Sequence, residues 1–407
     1  MTRLAISEAA EALEVSVDTI RRWEKKGLIK ASRTSGGHRT FDLDEINRLM
    51  EKINGGGGSH PFEVLKATPS NFTAIDLFAG GGGTALGLEN AGFKHLAVNE
   101  FDKWAAETLR TNRPEWNVLE GDVHDISFGD YRDQVDLVEG GFPCQAFSYA
   151  GNKKGFADTR GTLFHEFARV VEEVRPKIAM GENVRGLLNH DGGLTLRVMV
   201  NRLREIGYRV AYKILRAQYL DVAQKRERLI IIAVREELDF PILFPEEKNY
   251  TVSLREAIGD VPEGPGATYN DWKYDVMQQV PEGGNWRDLP DELQRSYMKR
   301  SYFLGGGKTG MARRLAWAEP SLTLTCNPAQ KQTERCHPSE TRPLNVREYA
   351  RIQSFPDVWQ FSGSVSQQYK QIGNAVPVNM AFHVGMGIRA MLESRTPEGY
   401  QELSPIT

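Results

Sequence analysis

A cysteine in a glycine-rich segment carries the strongest chemical signal in this sequence. Cys144 lies in Gly140–Ser148, directly after the apolar run Val135–Val138. A deprotonated thiol is a strong nucleophile, and Pro143 stiffens the turn that presents it. Glycine and polar residues surround this thiol, whereas the other two cysteines lack that context and are expected to pack in the interior. The segment therefore predicts a nucleophilic cysteine at the carboxyl end of a strand.

An acid and an amide follow the next apolar run along the chain. Glu182 and Asn183 lie in Gly181–Val184, directly after Ile178–Met180. The carboxyl ends of parallel strands meet at one edge of a sheet, so this order brings Glu182 near the Cys144 thiol. A lone Glu–Asn pair is usually a helix cap, and only its position beside the cysteine predicts a chemical role.

Alternating polar residues precede a later apolar run. Gln224, Arg226 and Arg228 stand directly before Leu229–Val234. Successive side chains of an extended chain point to opposite sides, so we expect these residues to orient groups in a site rather than to form plain surface. The polar segment Gln371–Pro377 completes the set near the carboxyl end.

A glycine-rich turn, Asp76–Thr84, follows the first apolar run and opens a helix. Glycines let the backbone approach a nucleotide-like ligand closely, although many dinucleotide enzymes share such a turn. Glu100 ends the second run, where a carboxylate can bind two ribose hydroxyls, and Phe101 can stack on a purine. Asp122 follows the third run and can accept a hydrogen bond from an exocyclic amine. Together these positions predict adenosine recognition.

Short apolar runs alternate with helical stretches in the middle of the chain. The strand candidates are Thr73–Phe78, Leu96–Asn99, Val135–Val138, Ile178–Met180 and Leu229–Val234. The helical candidates are Trp104–Thr111, Leu163–Val174, Leu194–Ile206, Val346–Ile352 and Val378–Leu392. Strands separated by helices predict an α/β fold with a doubly wound, Rossmann-like sheet that positions the polar residues above.

Composition narrows the class of protein. The chain has 407 residues, 40% of them hydrophobic, with 51 basic and 54 acidic side chains, which predicts two or three folded domains. No apolar run approaches the roughly 18 residues of a membrane span, and three cysteines are too few for a disulfide framework or a four-thiolate zinc site. We therefore expect no metal, no membrane and a reducing cytoplasm.

Charge is distributed unevenly along the chain. Residues 236–294 are acid-rich, whereas residues 295–351 hold eleven Lys and Arg against four Glu. The window 21–39 holds seven Lys and Arg against one Glu. A charge run is usually a solvated face, but two basic regions of this size favour contact with nucleic acid.

The first fifty residues read as a small helical module. Helical spacing begins near Ser7 as N-cap, Asp18 caps a second helix, and Leu43–Met50 forms a third. The stretch VDTIRRWEKKGLI followed by RTSGGHRTFD resembles the winged helix-turn-helix of mercury-resistance-type regulators and phage excisionases. The resemblance implies major-groove and phosphate contacts. The groove residues would be Thr19, Arg21 and Arg22, and the phosphate contacts would be Arg33, His38 and Arg39.

Five segments together resemble the DNA (cytosine-5)-methyltransferase family in its bacterial restriction–modification form. DLFAGGGG, GGFPCQAFS, GENVRG, QKRERLIIIA and QIGNAVPV stand in the family's order between Phe72 and Gly387. The resemblance implies S-adenosyl-L-methionine as cofactor and S-adenosyl-L-homocysteine as product. It also implies a bacterial cytoplasmic protein that is associated with the nucleoid. The implied cofactor site comprises Phe78, Ala79, Gly80, Gly82, Glu100, Phe101, Asp122, Pro143, Leu163 and Asn374. Phe101 departs from the family, which often has tryptophan there.

The same resemblance implies the chemistry. Cys144 would add to carbon 6 of a cytosine flipped out of double-stranded DNA, and Glu182 would bind ring nitrogen 3 and the exocyclic amine. Asn183, Arg226 and Arg228 would orient Glu182 and the base. The enzyme would act as a monomer, with no obligate protein partner. Further residues would contact DNA. These are Gln145, Ser148 and Arg160 in a loop that closes over DNA, together with Gln224, Gly305–Lys308, Arg313, Arg314, Thr323, Leu324 and Thr325.

These expectations define six regions. Residues 1–54 form the helix-turn-helix module, 55–70 a glycine-rich linker, 71–240 and 343–395 the catalytic domain, 241–342 a smaller target-recognition domain, and 396–407 a loose tail. The spacer Gly55–Ser59 has the composition of a flexible linker, native or engineered, so the origin of the first module stays open. Rival interpretations are a nicotinamide dehydrogenase, an RNA cytosine methyltransferase, and a DNA-binding regulator whose function lies in residues 1–54.

Overall fold

A computed structural model of the chain describes residues 3–12, 17–25, 29–33, 39–42, 60–142, 163–303 and 309–406. The chain divides into two compact units. The first unit comprises Met1–Glu63, Asp221–Lys225 and Lys248–Ile352, and the sheet unit comprises Val64–Leu220, Arg226–Glu247 and Gln353–Thr407. Within the described residues, no helix combines the length and apolar character needed to cross a membrane.

The strands are short at the amino end and longer in the sheet unit. They are β1 Arg3–Ala5, β2 Ser32–Arg33, β3 Arg39–Asp42, β4 Thr73–Leu77, β5 Lys94–Glu100, β6 Val118–Glu120, β7 Leu137–Gly140, β8 Ile178–Val184, β9 Tyr208–Arg216, β10 Gln224–Lys225, β11 Glu227–Arg235, β12 Leu243–Pro245, β13 Ser321–Leu322 and β14 Tyr400–Glu402.

The helices fall between these strands. They are α1 Ile6–Ala12, α2 Val17–Lys25, α3 Gly83–Asn90, α4 Lys103–Asn112, α5 Leu163–Val174, α6 Leu194–Glu205, α7 Leu254–Ile258, α8 Asp271–Gln278, α9 Asp291–Met298, α10 Val346–Ile352, α11 Val365–Asn374 and α12 Val378–Leu392.

Seven strands form one sheet in the order β6-β5-β4-β7-β8-β11-β9. The strands from β6 to β8 run parallel, and β11 runs antiparallel to both β8 and β9. The chain winds outward from β4 to β6 and then returns to the other side of β4 through β7. Ligands of such sheets bind at this switch point, outside the carboxyl ends of the strands.

Apolar side chains hold α5 and α6 against one face of the sheet. Leu77, Val138 and Ile231 are buried there together with Phe167 and Met199. Because α5 buries a stripe at helical spacing, it begins and ends where the sequence predicts, at Leu163 and Val174. The doubly wound, mixed α/β sheet predicted from the sequence is confirmed.

Two features of the sheet unit differ from the sequence expectations. The strand β9 was not predicted, because Tyr208–Arg216 mixes charged with apolar residues and is apolar mainly at alternate positions. The tail predicted at residues 396–407 is not loose: β14 pairs with β12, and the Ile406 amide donates to the Val210 carbonyl over 2.8 Å. Backbone pairing therefore orders a segment whose side chains are mostly polar.

The amino-terminal module has a small core of its own. Ala9 on α1, Ile20 on α2 and Phe41 on β3 are buried together. Ser7 is not the N-cap, because α1 begins at Ile6 and the Ala5 amide instead donates to the Glu8 carboxylate over 2.7 Å. The predicted third helix, Leu43–Met50, lies outside the described residues.

The remainder of the first unit packs around a second apolar cluster. Val276, Met277 and Tyr297 are buried there with Cys336. A parallel pair, β10 with β13, brings Gln224 opposite Ser321. Most of the predicted target-recognition domain, 241–342, falls in this unit, whereas the predicted catalytic segments fall mainly in the sheet unit.

Candidate active site

The glycine-rich turn after β4 adopts a backbone that few other residues allow. Phe78, Gly80 and Gly82 have φ of 62°, 55° and 88°, in the left-handed region that favours glycine. Among the described residues, no atom lies within 4 Å of a Cβ placed on Gly80, so this part of the structure leaves space beside the backbone of the turn. The Ala79 amide donates to the Asn99 carbonyl over 3.0 Å, which fixes the turn to β5.

The other side of this turn packs against the segment Gln371–Pro377. A Cβ on Gly83 would overlap the carbonyl oxygen of Val376, and one on Gly81 would lie 3.1 Å from the Gln371 Cβ. The structure therefore brings together two motifs that lie almost three hundred positions apart in the sequence. Close backbone approach explains why these positions are glycine.

Glu100 sits at the centre of the candidate adenosine site. Its carboxylate accepts the Gly80 amide over 2.6 Å and the Asp102 amide over 2.6 Å, and its side chain is buried. Burial raises the pKa of the Glu100 carboxyl, and the two amides oppose that effect. A carboxylate held in this way at a strand end is positioned to accept from vicinal hydroxyls.

The neighbouring cofactor residues differ in exposure. Phe101 is 73% exposed, so one ring face is available for stacking. Asp122 is exposed and accepts the His124 amide over 3.0 Å. Leu163 begins α5 and is half-buried, and Asn374 at the end of α11 is exposed. Predicted contacts of Pro143 fall outside the described residues.

These residues fit a nucleoside carrying a positively charged sulfur. An open glycine turn, a buried carboxylate and an exposed aromatic ring lie on consecutive strand ends. The glycine turn lets a ligand approach the backbone, the carboxylate can accept from ribose hydroxyls, and the aromatic ring can stack on a purine. Among the described residues, no group of His, Cys, Asp and Glu could hold a metal ion.

Glu182 and Arg228 form an ion pair on adjacent antiparallel strands. Arg228 Nε lies 2.5 Å from Glu182 Oε1, and both side chains are only 12% exposed. Glu182 is the register partner of Ile230, so Arg228 reaches it diagonally along β11. The guanidinium fixes the carboxylate in place and balances its charge.

Asn183 connects this strand to the segment that leads to the cysteine. Its side-chain amide donates to the Phe142 carbonyl over 2.8 Å, and its Oδ1 accepts the Val184 amide over 2.8 Å. Phe142 is itself buried against Phe164 and Phe167. Cys144 lies two positions further, and it falls with Gln145, Ser148 and Arg160 outside the described residues.

Arg226 is buried within the sheet unit, with 1% of its surface exposed. Its guanidinium donates to the Gly373 carbonyl over 3.1 Å and to the Asn374 carbonyl over 3.4 Å. Arg226 thereby ties the start of β11 to the end of α11, beside the glycine-rich turn. In this structure Arg226 contributes to the site by holding these two segments together.

The residues of the first unit that were predicted to contact DNA differ in burial and in hydrogen-bond partners. Gln224 is fully buried and accepts the Leu324 amide over 2.9 Å. Thr323 donates to the Lys225 carbonyl over 2.7 Å, and Thr325 lies 3.1 Å from the Thr333 hydroxyl. Arg313 is half-buried. Gly305–Lys308 lie outside the described residues.

Arg314 is committed to the interior of the first unit. It is 4% exposed and donates to the carbonyls of Val280, Met277 and His337 over 2.7, 2.7 and 3.0 Å. Five guanidinium donors suit this convergence of backbone acceptors. Its contact with DNA stays a prediction, and in this structure the side chain holds the unit together.

The amino-terminal module shows a similar contrast. Arg21 on α2 is exposed, as a groove residue requires. Arg39 instead pairs with Glu24 over 2.8 Å, which fastens β3 to α2. His38 lies outside the described residues, as do the side chains of Thr19 and Arg22.

Sequence reasoning missed several residues that shape the site. Trp359 is buried, its indole N–H donates to the Gly81 carbonyl over 3.1 Å, and its ring would meet a Cβ on Gly82. Gln371 accepts the Thr108 hydroxyl over 2.7 Å. An aromatic-rich segment before α11 was the available signal, but its partner could not be read from sequence.

Two family models match the chain. The model of the C-5 cytosine-specific DNA methylases matches residues 72–390, and that of the MerR family regulatory proteins matches residues 6–41. The type II methyltransferase M.Eco47II of Escherichia coli is 52% identical over 399 residues, which cover 96% of each chain. M.Sau96I of Staphylococcus aureus is 52% identical over 325 residues, 78% of this chain and 76% of that protein.

The alignment with the Escherichia coli enzyme also bears on the first module. Because it covers 96% of this chain, it includes most of residues 1–54. A counterpart in a type II methyltransferase favours a native module over an engineered fusion.

Solved structures share the fold. A DNA modification methyltransferase encoded within an Escherichia coli prophage covers 79% of this chain and all of its own, with a TM-score of 0.59 and 23% identity. A DNMT2 variant of Spodoptera frugiperda covers 78% of this chain with a TM-score of 0.57 and 15% identity. At these identities the likeness establishes the fold alone.

Proposed function

This chain belongs to the C-5 cytosine-specific DNA methylase family, and from that membership we propose that it methylates carbon 5 of a flipped-out cytosine through a covalent adduct with Cys144. The enzyme class, a DNA (cytosine-5)-methyltransferase of type II restriction–modification, follows from the family and its similar members. The ion pair between Glu182 and Arg228 carries the mechanistic proposal. It holds a carboxylate on β8, next to β7, the strand that leads to the cysteine.

The target base must leave the duplex before it can react. Carbon 6 of a stacked cytosine is unreachable for a thiol, so the base rotates into the site. Unstacking costs a few kcal/mol, about the value of two or three good hydrogen bonds to charged groups. Glu182 and Arg228 supply such groups at the strand edge.

Cys144 performs the covalent step. Its thiolate adds to carbon 6, and the electron pair of the 5,6 double bond moves toward carbon 5 and ring nitrogen 3. When bound, S-adenosylmethionine supplies the electrophilic methyl group for carbon 5. Loss of the carbon 5 proton then expels the thiolate and restores the aromatic ring.

The remaining residues prepare this step. Glu182 binds ring nitrogen 3 and the exocyclic amine, and Arg228 keeps its carboxyl in place. Asn183 holds the Phe142 carbonyl and so fixes where the Cys144 segment leaves β7. Arg226 joins this edge to Gln371–Pro377. Glu100, Phe101 and Asp122 bind the adenosine half of the cofactor.

A mechanism-based trap tests the proposal. Duplex DNA with 5-fluorocytosine at the target position cannot lose its carbon 5 substituent as a proton, so wild-type enzyme with cofactor should remain covalently attached at Cys144. Peptide mass mapping would locate the bond. Cys144→Ser should bind the same DNA without forming the adduct. Wild-type methylation without any adduct, or methylation by Cys144→Ser at wild-type rate, would exclude covalent catalysis.

A second function is supported by a separate observation. Residues 6–41 match the MerR model, and Arg21 is exposed on α2. We propose that this module binds the promoter of the enzyme's own gene and represses it. Footprinting of that promoter with wild type and with Arg21→Ala/Arg22→Ala should show protection that the double variant loses. Equal protection by both proteins would remove this function from the module.

A further inference from the structure

Two carboxyl groups lie in the centre of the sheet, and no step described above uses them. Asp76 on β4 and Glu139 on β7 are register partners, and their side chains are 0% and 1% exposed. Central strands of a parallel sheet are normally apolar, because both faces are covered. Two acids directly opposite each other at this depth are therefore costly unless they have a specific role.

The pair belongs to a row of four acids on one face of the sheet. Val98 is the register partner of Asp76 across β5, and Met180 is the partner of Glu139 across β8. Side chains two positions apart share a face, so Glu100 and Glu182 project from the same face as the pair. The row runs β5-β4-β7-β8, from the cofactor carboxylate to the carboxylate proposed to bind the base.

The hydrogen-bonding pattern of Asp76 and Glu139 indicates that the two carboxyl groups share a proton. Within the described part of the chain, no donor reaches either oxygen of Asp76 or Oε1 of Glu139. Two ionised carboxylates offer only acceptors and repel each other, whereas one shared proton makes an O–H···O bond and leaves one negative charge. Burial raises the pKa of Asp76 to about 7, and burial together with Asp76 raises the pKa of Glu139 well above its ordinary value.

The neighbours of the pair are acids as well. Among the described residues, the ionisable groups that act on it are Glu100 and Glu182, and no basic group does. Glu182 has Arg228 as its own partner. The pair therefore carries a charge that no basic side chain of the described residues balances.

We propose that Asp76 and Glu139 are positioning residues for methyl transfer, which share one proton and keep a single negative charge beside Glu182. This inference rests on the proposed role of Cys144. The O–H···O bond of the shared proton joins β4 to β7, whose ends carry the glycine-rich turn and lead to the cysteine, and so fixes the spacing of these two strand ends. Loss of the shared proton to solvent leaves two repelling charges between β4 and β7, which loosens the site.

The test separates this role from a structural one. Glu139→Gln keeps the shape and a hydrogen bond to Asp76 but removes the shared proton, so that an amide N–H···O bond replaces the shorter O–H···O bond. We expect kcat to fall about tenfold, with KM for DNA and for S-adenosylmethionine within about twofold. The wild-type kcat should decline on the alkaline side as the shared proton is lost, whereas the variant should be slower but flat over that range. His95→Gln is the matched control, because His95 is a buried polar residue of β5 that packs on Trp116.

Infrared spectroscopy detects the proton independently of activity. Wild type should show a protonated carboxyl band that disappears at alkaline pH, and Asp76→Asn/Glu139→Gln should lack that band. A Glu139→Gln enzyme with wild-type kcat and pH profile would overturn the proposal. If that variant does not fold, a wild type without the band would overturn it instead. The two proposals fail separately. If the wild-type enzyme forms no adduct with 5-fluorocytosine, the covalent mechanism of the proposed function is wrong. The Glu139→Gln experiment does not test that mechanism.

Discussion

At the scale of single residues, the site combines charges that are paired with charges that are not. Glu182 is balanced by Arg228 at 2.5 Å, whereas Glu100 accepts hydrogen bonds from the backbone amides of Gly80 and Asp102. A carboxylate bound by amides can exchange them for ligand hydroxyls at little cost. A carboxylate fixed by a guanidinium keeps one geometry. This difference suits adaptation to a cofactor at one end and orientation of a base at the other.

Arg228→Lys should damage catalysis more than binding. Lysine keeps the charge but loses the planar donor that fixes Glu182, so we expect kcat to fall about tenfold or more, with cofactor affinity nearly unchanged. Single-turnover methylation and a cofactor titration measure both quantities. Arg185→Lys is the control, since Arg185 pairs with Glu227 near the same edge but is 63% exposed. Equal loss in both variants would deny Arg228 a special role.

The buried aspartate should also leave a mark on stability. The pKa of Asp76 is about 7 in the folded chain against an ordinary 3.8, so the folded state binds more protons between these values. The stabilising contribution of Asp76 to the free energy of unfolding is complete below pH 3.8, declines as the pH rises, and is lost above about pH 7. The slope is up to about 1.4 kcal/mol per pH unit. Urea unfolding from pH 4 to pH 8 should show a flatter free energy of unfolding in Asp76→Asn than in wild type.

The same titration distinguishes Asp76 from other groups. Burial lowers the pKa of His95 to about 3, which stabilises the fold as pH rises, with the opposite sign. Only the difference between wild type and Asp76→Asn isolates the aspartate. Asp130→Asn, at an exposed position, serves as the reference. Parallel curves for wild type and Asp76→Asn would show that Asp76 is ionised in both states.

At the scale of elements, the site depends on the contact between the turn after β4 and the segment that joins α11 to α12. A Cβ on Gly83 would overlap the Val376 carbonyl oxygen, and one on Gly81 would lie in tight contact with the Gln371 Cβ at 3.1 Å. Trp359 closes the turn by its hydrogen bond to the Gly81 carbonyl. The turn's shape is therefore set by packing as well as by its own glycines.

Gly83→Ala should disturb this contact. The new methyl would overlap the Val376 carbonyl oxygen, so we expect unfolding to become easier by about 2 kcal/mol and cofactor affinity to fall. Thermal unfolding and a cofactor titration measure the two effects. Gly129→Ala provides the control, because its Cβ would meet nothing closer than 3.6 Å. A stable Gly83→Ala enzyme with normal cofactor affinity would show that α11 and α12 can shift away from the turn without lowering the free energy of unfolding.

At the scale of the whole molecule, matches to two protein families are combined in one chain. Residues 72–390 match the methylase family and residues 6–41 match the MerR family. The module's buried residues, among them Ile20 and Phe41, form a cluster of their own. A separate core is what a module needs to act independently.

Deletion of residues 1–54 should therefore leave methyl transfer intact. We expect kcat and target sequence, read by bisulfite sequencing of host DNA, to match the full-length enzyme, while promoter protection disappears. Circular dichroism establishes that the shortened protein is folded. A folded deletion variant that no longer methylates its site would assign the module to target reading.

The order of five motifs determined the fold class and the enzyme family from sequence alone, and it predicts Cys144 as the nucleophile. Helices such as Leu163–Val174 were predicted to the residue because burial imposes a helical stripe. Strand β9 and the pairing of β14 with β12 were not, because backbone hydrogen bonds leave little trace in side-chain pattern.

Tertiary structure alone decided which charges meet. Sequence placed Glu182 after one predicted strand and Arg228 before another, but only the pairing of β8 with β11 and its register set their diagonal contact. Arg314 was expected at a DNA surface, and packing directs it inward to backbone carbonyls. Asp76 stood unremarked in a glycine motif until β7 brought Glu139 opposite it. Pairing across strands depends on register and burial, which are properties of the folded chain and not of local sequence.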